Sequence, residues 1–148
     1  MAPFGKIILM VPAVLVLCGA SDERGKIACA ADDENLKFAA HASFGYRGDN
    51  PLFGIEGALD LKPPGFRIAA KSLAIKDAHL FQQWFYDTDL RLQFHIPTTD
   101  GTVSLSLLTA QTEDGLMYQG TYDLEIAGLE GSGENVVLRD GKITCKMD

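Results

Sequence analysis

The sequence predicts an all-β domain with one short helix: an antiparallel meander of eight or nine strands that closes as a barrel or folds over as a sandwich. Three observations carry this expectation. Apolar and polar residues alternate with a period of two along most of the chain, the pattern of half-buried strands. Turn signals rich in Gly, Pro, Asp and Asn recur about every ten to fifteen residues, with short connections between them. Two cysteines, Cys29 and Cys145, lie near the two ends of the region expected to remain after processing.

The chain opens with a short segment carrying one positive charge, Lys6. Ile7 to Leu17 is apolar apart from Pro12, and Cys18-Gly19-Ala20 supplies small residues before the polar run Ser21-Asp22-Glu23-Arg24. That order reads as a secretory signal peptide over residues 1–20, followed by a single antiparallel β domain over 21–148. The apolar stretch is shorter than the roughly 20 residues that span a bilayer, so no transmembrane segment is expected in the mature chain. The expected location is exported, periplasmic or extracellular. Acylation of Cys18 is the weaker reading, because Leu17 stands where a small residue should precede a lipidated cysteine. Cys18 then leaves with the signal, and Cys29 and Cys145 are expected to pair in an oxidising compartment. Closing a loop of that length is worth on the order of 4–5 kcal/mol in the chain-entropy model.

The elements follow in order. Gly25-Lys26-Ile27-Ala28-Cys29 and Gly141-Lys142-Ile143-Thr144-Cys145 echo one another and read as two strands with similar needs. Leu36, Phe38, Ala40, Ala42, Phe44 and Tyr46 share one face of a strand, and Arg47 to Pro51 turns the chain. Phe53, Ile55, Gly57, Leu59 and Leu61 share the face of the next, which Lys62-Pro63-Pro64-Gly65 ends. Phe66, Ile68 and Ala70 change parity with Leu73 and Ile75, so a bulge is expected near Lys71-Ser72. Residues 77–86 read as the one helix, with Asp77 as cap and Leu80, Phe81, Trp84 and Phe85 at helical spacing. Leu90, Leu92, Phe94 and Ile96 alternate with Arg91, Gln93 and His95, and Val103, Leu105 and Leu107 alternate with Thr102, Ser104 and Ser106. Leu116, Tyr118, Gly120, Tyr122, Leu124 and Ile126 follow, then a Gly-rich loop over 127–134. Asp140-Gly141 reads as a two-residue hairpin turn that places Val136, Leu138, Ile143 and Cys145 on one face.

Charge narrows the partners. The signal carries one Lys and no acid, so 13 basic residues become 12 against 20 acidic ones. Such a surface repels phosphate backbones, and nucleic-acid binding is not expected. The alternating strands also fit an eight-stranded outer-membrane barrel superficially. The outward faces lack aromatic girdles, however, and carry many Ala and Gly residues.

No motif carries chemistry. His41, His79 and His95 stand at no metal-ligand spacing, and Gly131-Ser132-Gly133 lacks the strand–turn–helix setting of a nucleophile elbow. Arg47-Gly48-Asp49 is good turn chemistry. No cofactor and no catalysis are expected. Trp84-Phe85-Tyr86 is the informative cluster, since three consecutive aromatics cannot all face one core. The expected function is a non-catalytic module that binds a small apolar ligand in a barrel or sandwich mouth. Trp84 and Tyr86 would line the mouth, and Arg91 and His95 would be polar contacts. The alternative is an envelope or extracellular protein–protein interaction or structural component that offers its strand edges.

Overall fold

The computed structural model describes residues 23–45, 52–62, 71–128 and 135–148. The expected signal peptide, the Arg47-Gly48-Asp49 turn, Phe66 to Ala70 and Gly131-Ser132-Gly133 lie outside these residues. The described residues form nine strands: β1 (Glu23–Asp32), β2 (Leu36–Gly45), β3 (Leu52–Leu61), β4 (Ser72–Lys76), β5 (Leu80–Tyr86), β6 (Asp89–Thr98), β7 (Gly101–Gln111), β8 (Met117–Gly128) and β9 (Asn135–Met147). All belong to one antiparallel sheet in the order β4-β3-β2-β1-β9-β8-β7-β6-β5, curled into a nearly closed barrel.

The barrel is two meanders, β1–β4 and β5–β9, joined twice. On one side β1 pairs with β9 through four register pairs, Ile27 with Met147 to Ala30 with Thr144. In the middle of this ladder Cys29 faces Cys145 and the two form a disulfide, with S–S 2.01 Å. Both cysteines are buried in the core. The echoed pentapeptides are thus neighbours, each supplying the same small inward residue to one bridge.

On the other side the meanders meet at β4 and β5. A ring of antiparallel strands closes only with an even number, so nine strands leave two that run the same way. These are β4 and β5, since every pairing in the sheet is antiparallel and β1 pairs with β9. Parallel neighbours need a crossover of a dozen or more residues, and only the 3-10 turn Asp77–His79 lies between these two. They therefore run end to end, as one strand with a jog. Its first half pairs with β3 over Glu56–Asp60, and its second half pairs with β6 over Asp89–Phe94. Geometrically this is an eight-stranded up-and-down barrel in which one strand changes partner midway.

The jog leaves the first half of β3 without a ladder partner on that side, and side chains take the place of the strand. Asp77 Oδ1 accepts from Ile55 N at 2.7 Å and Oδ2 from Gly54 N at 3.2 Å. Gln83, turned inward, accepts from Leu52 N at 3.0 Å and donates to Leu52 O at 3.4 Å.

The sequence reading is corrected at four places. Leu116 lies in the turn before β8 and is exposed, so it is no part of that strand's inner face. Residues 77–86 are no helix but the 3-10 turn and β5. A bulge between Leu80 and Gln82 puts Phe81 on the outer face next to Gln82, which breaks the alternation and imitates helical spacing. Aromatic residues also favour strands. Phe53 faces solvent, 42% exposed, while Leu52 is buried. The cause is Gly54 at φ +64, which makes a bulge opposite His41–Ser43 and flips the parity of the strand start. Asp140-Gly141 is no hairpin turn; it lies inside the continuous strand β9. Asp140 at φ +61 is the extra residue of a bulge, held by its own N–H donating to Asp123 Oδ1 at 3.1 Å. The extra residue keeps Val136, Leu138, Ile143 and Cys145 on the inner face as expected.

The interior is filled from both meanders. Phe38 of β2 meets Phe94 of β6 with ring centroids 6.2 Å apart, and Phe85 of β5 meets Phe44 and Tyr118 at 5.9 and 6.2 Å. Tyr122 adds a polar tie. Its ring covers Gly141, where a Cβ would stand 2.1 Å from ring carbon, and its hydroxyl donates to Asp33 Oδ2 at 2.5 Å. Asp33 also accepts from Asn35 N and Leu36 N in the β1–β2 turn. Burial works to raise the Asp33 pKa, but these three donors outweigh it and hold the carboxyl below the usual carboxylate range. Burial and the Asp33 hydrogen bond push the Tyr122 phenol far up.

Removing the bridge with Cys29→Ala and Cys145→Ala together is expected to cost about 2–5 kcal/mol in urea unfolding. A folded-state pKa below the unfolded one stabilises above the unfolded value and loses that contribution as pH falls through the folded one. The urea midpoint is therefore expected to fall below about pH 4. It should fall less steeply in Asp33→Asn.

Candidate functional site

Antiparallel register places outward side chains in rows across the strands. On β5–β9 three such rows matter. Trp84, Arg91, Leu108 and Thr121 form one. Gln82, Gln93, Ser106 and Asp123 form the next. His95, Ser104, Glu125 and Val137 form the third. β7 lies in the middle of this face, and between its Thr102 and Leu108 it presents two hydroxymethyl groups, Ser104 and Ser106, beside larger residues on the adjacent strands. The result is a trough across the outer surface, made of two adjoining hollows of about 460 and 360 Å³ that share Gln93, Ser106 and Asp123.

The four residues expected to contact a ligand all lie on this face, along β5 and β6. Their face is the exterior of the barrel, not a mouth or an inner wall. Trp84, 41% exposed, stacks beside Tyr86 at 5.8 Å, and the Arg91 guanidinium lies 4.8 Å over the Trp84 ring. His95 stacks on Phe81 at 4.2 Å, with the ring planes 9° apart, and lies 3.3 Å from Gln93 Nε2. Trp84 and Arg91 line the first hollow and His95 the second; Tyr86 buttresses Trp84 from outside both.

The charges of the trough are largely spent on one another. Asp123 Oδ2 accepts from Arg139 at 3.3 Å, while its Oδ1 holds the Asp140 bulge. Arg91 sits 3.8 Å from Asp89. Beside these pairs the hollows are lined by neutral groups, the Gln82 amide, the Gln93 amide next to His95 and the Ser104 and Ser106 hydroxyls, and by the Glu125 carboxylate. Gln82, Gln93, Ser104, Ser106 and Asp123 were not singled out from sequence. The signal was present in the polar alternation opposite Leu92, Val103, Leu105 and Leu107, but only the register shows that these residues face one hollow.

Among the described residues, the inner side of the sheet shows one small void. A void beneath Phe38 and Phe94, walled by Ile27, Leu52, Ile55 and Leu107, measures about 20 Å³. That accommodates one water, against roughly 300 Å³ or more for an ordinary ligand pocket. Among the described residues no three His, Cys, Asp or Glu side chains converge as a metal site would require. His41 lies 3.8 Å from Glu56 on the opposite flank, and His79 Nδ1 accepts from Lys76 N at 3.2 Å. Among the described residues no helix is long and apolar enough to cross a membrane. Comparison with protein-family models, with curated proteins and with solved structures returns no match.

Asp123→Ala frees Arg139 and leaves the bulge amide without its acceptor, and is expected to cost about 1–2 kcal/mol. Arg91→Ala loses only an exposed ion pair and a ring contact, and is expected to cost less than about 1 kcal/mol. Urea unfolding of the two variants checks the order.

Proposed function

We propose that the protein is an exported, non-catalytic binding module whose ligand lies in the outer trough against Trp84. The trough itself carries this reading. It joins two hollows of ligand size with an exposed indole at one end and amide and hydroxyl groups along its floor. The inward positions of the same strands are taken by packed Leu, Phe, Tyr and Ile side chains. A buried disulfide agrees with export, since such bonds persist in oxidising compartments.

A second reading rests on β5. Leu80 to Tyr86 carries no charge, and Phe81 and Tyr86 are 66% and 69% exposed. Strands at a sheet border are normally protected by charge or proline, so this segment also suits a protein partner in the envelope or extracellular space.

Ser106→Tyr fills the trough from outside and leaves the core untouched. In equilibrium dialysis against a mixed extract of the native host, the wild type is expected to retain compounds that Ser106→Tyr loses, at an unchanged unfolding midpoint. Compounds retained equally by both proteins place the site elsewhere.

A further inference from the structure

We propose that the ligand of the trough is a neutral oligosaccharide; this rests on the outer-face reading above. Four properties of the trough select that chemistry. The first is charge balance. Arg91 and Arg139 are each held by a carboxylate, from Asp89 and Asp123, and Glu125 adds a further negative charge. Neither arginine lining the hollows is left unpaired for phosphate, sulfate or a carboxylate ligand, on a protein that already carries a formal charge of −7.

The second is the kind of hydrogen-bonding group. Gln82 and Gln93 each offer a planar amide that donates and accepts at adjacent atoms, Ser104 and Ser106 do both through one oxygen, and Glu125 accepts only. Vicinal hydroxyls, which also donate and accept at adjacent atoms, are the complementary array. The third is the amount of apolar surface. Trp84, Leu108 and Val137 supply separate small patches. That is too little for an acyl chain but enough for the C–H face of a pyranose ring laid on the indole.

The fourth is length. The hollows run from Gln82 and Trp84 on β5 to Val137 and Arg139 on β9, four strand spacings apart. At about 4.8 Å per spacing this is roughly 19 Å. A single sugar fills a fraction of that distance, whereas a chain of several rings fills it. The openness of the trough to solvent suits an extended polymer lying across it rather than a small molecule enclosed by it. A peptide would fit the length too, but its N–H and C=O groups favour a strand border over a floor of side chains.

The test uses the purified mature protein and soluble neutral oligosaccharides of the malto, cello, chito and xylo series, with Trp84 emission and titration calorimetry as readouts. Affinity in one series is expected to rise at least tenfold from monosaccharide to longer chain, then level off once the trough is full. Binding should be indifferent to salt, since no ion pair forms. Gln93→Ala and Trp84→Ala should each weaken it tenfold or more, and Trp84→Phe should recover part of the loss. All three change outward residues, and the unfolding midpoint reports whether each variant is folded. Absence of sugar binding across the panel overturns the oligosaccharide proposal. If a charged metabolite or a peptide binds instead and Ser106→Tyr abolishes it, the trough is the site and its ligand is of that other class. Sugar binding that Ser106→Tyr leaves intact overturns the trough itself.

Discussion

The ladder between β1 and β9 makes this sheet a barrel. It has only four register pairs, fewer than any other junction among the described strands, yet it is where two self-contained meanders become one wall. The Cys29–Cys145 bond sits inside it, so the covalent link reinforces the junction with least backbone pairing. Much else follows. Joining β1 to β9 antiparallel leaves β4 and β5 running the same way, and two such strands linked by three residues cannot lie side by side. The jog at Asp77–His79 is the answer that topology permits, and the Asp77 and Gln83 side chains supply the acceptors and donor that the interrupted strand does not.

A second tie crosses the same divide. Tyr122 belongs to one meander and Asp33 to the other, and the glycine at 141 leaves room for the ring that carries the hydroxyl to Asp33. A side chain at 141 would displace the ring and take the hydroxyl away from Asp33. Bridge, jog and tyrosine thus hold together two halves that are each held internally by ordinary ladders.

Much of this was legible in the sequence. The inward sets Leu90-Leu92-Phe94-Ile96 and Val103-Leu105-Leu107 follow directly from alternation, and so does the pairing of the two cysteines. Three of the misreadings share one cause: a single extra residue in a strand. At Leu80–Gln82 it imitates a helix, and at Gly54 it exchanges Phe53 for Leu52. At Asp140 the left-handed conformation that a tight hairpin needs serves a bulge instead. Local sequence specifies the dihedral, but only the partner strand decides what that dihedral is for. The outer trough was half visible. Trp84, Tyr86, Arg91 and His95 stand out by type. Ser104 and Ser106 shape the trough by lacking bulk, and a missing side chain becomes a cavity only when its cross-strand neighbours are known.

The placement of β1 beside β9 also has a temporal consequence. During synthesis the first strand is made early, and the segment that completes its hydrogen bonding is made last. Until then β1–β4 is an open ribbon with one raw flank, and Cys29 waits for a thiol 116 residues downstream. Closure of the ring, by backbone and by sulfur alike, is therefore the last step the chain can complete.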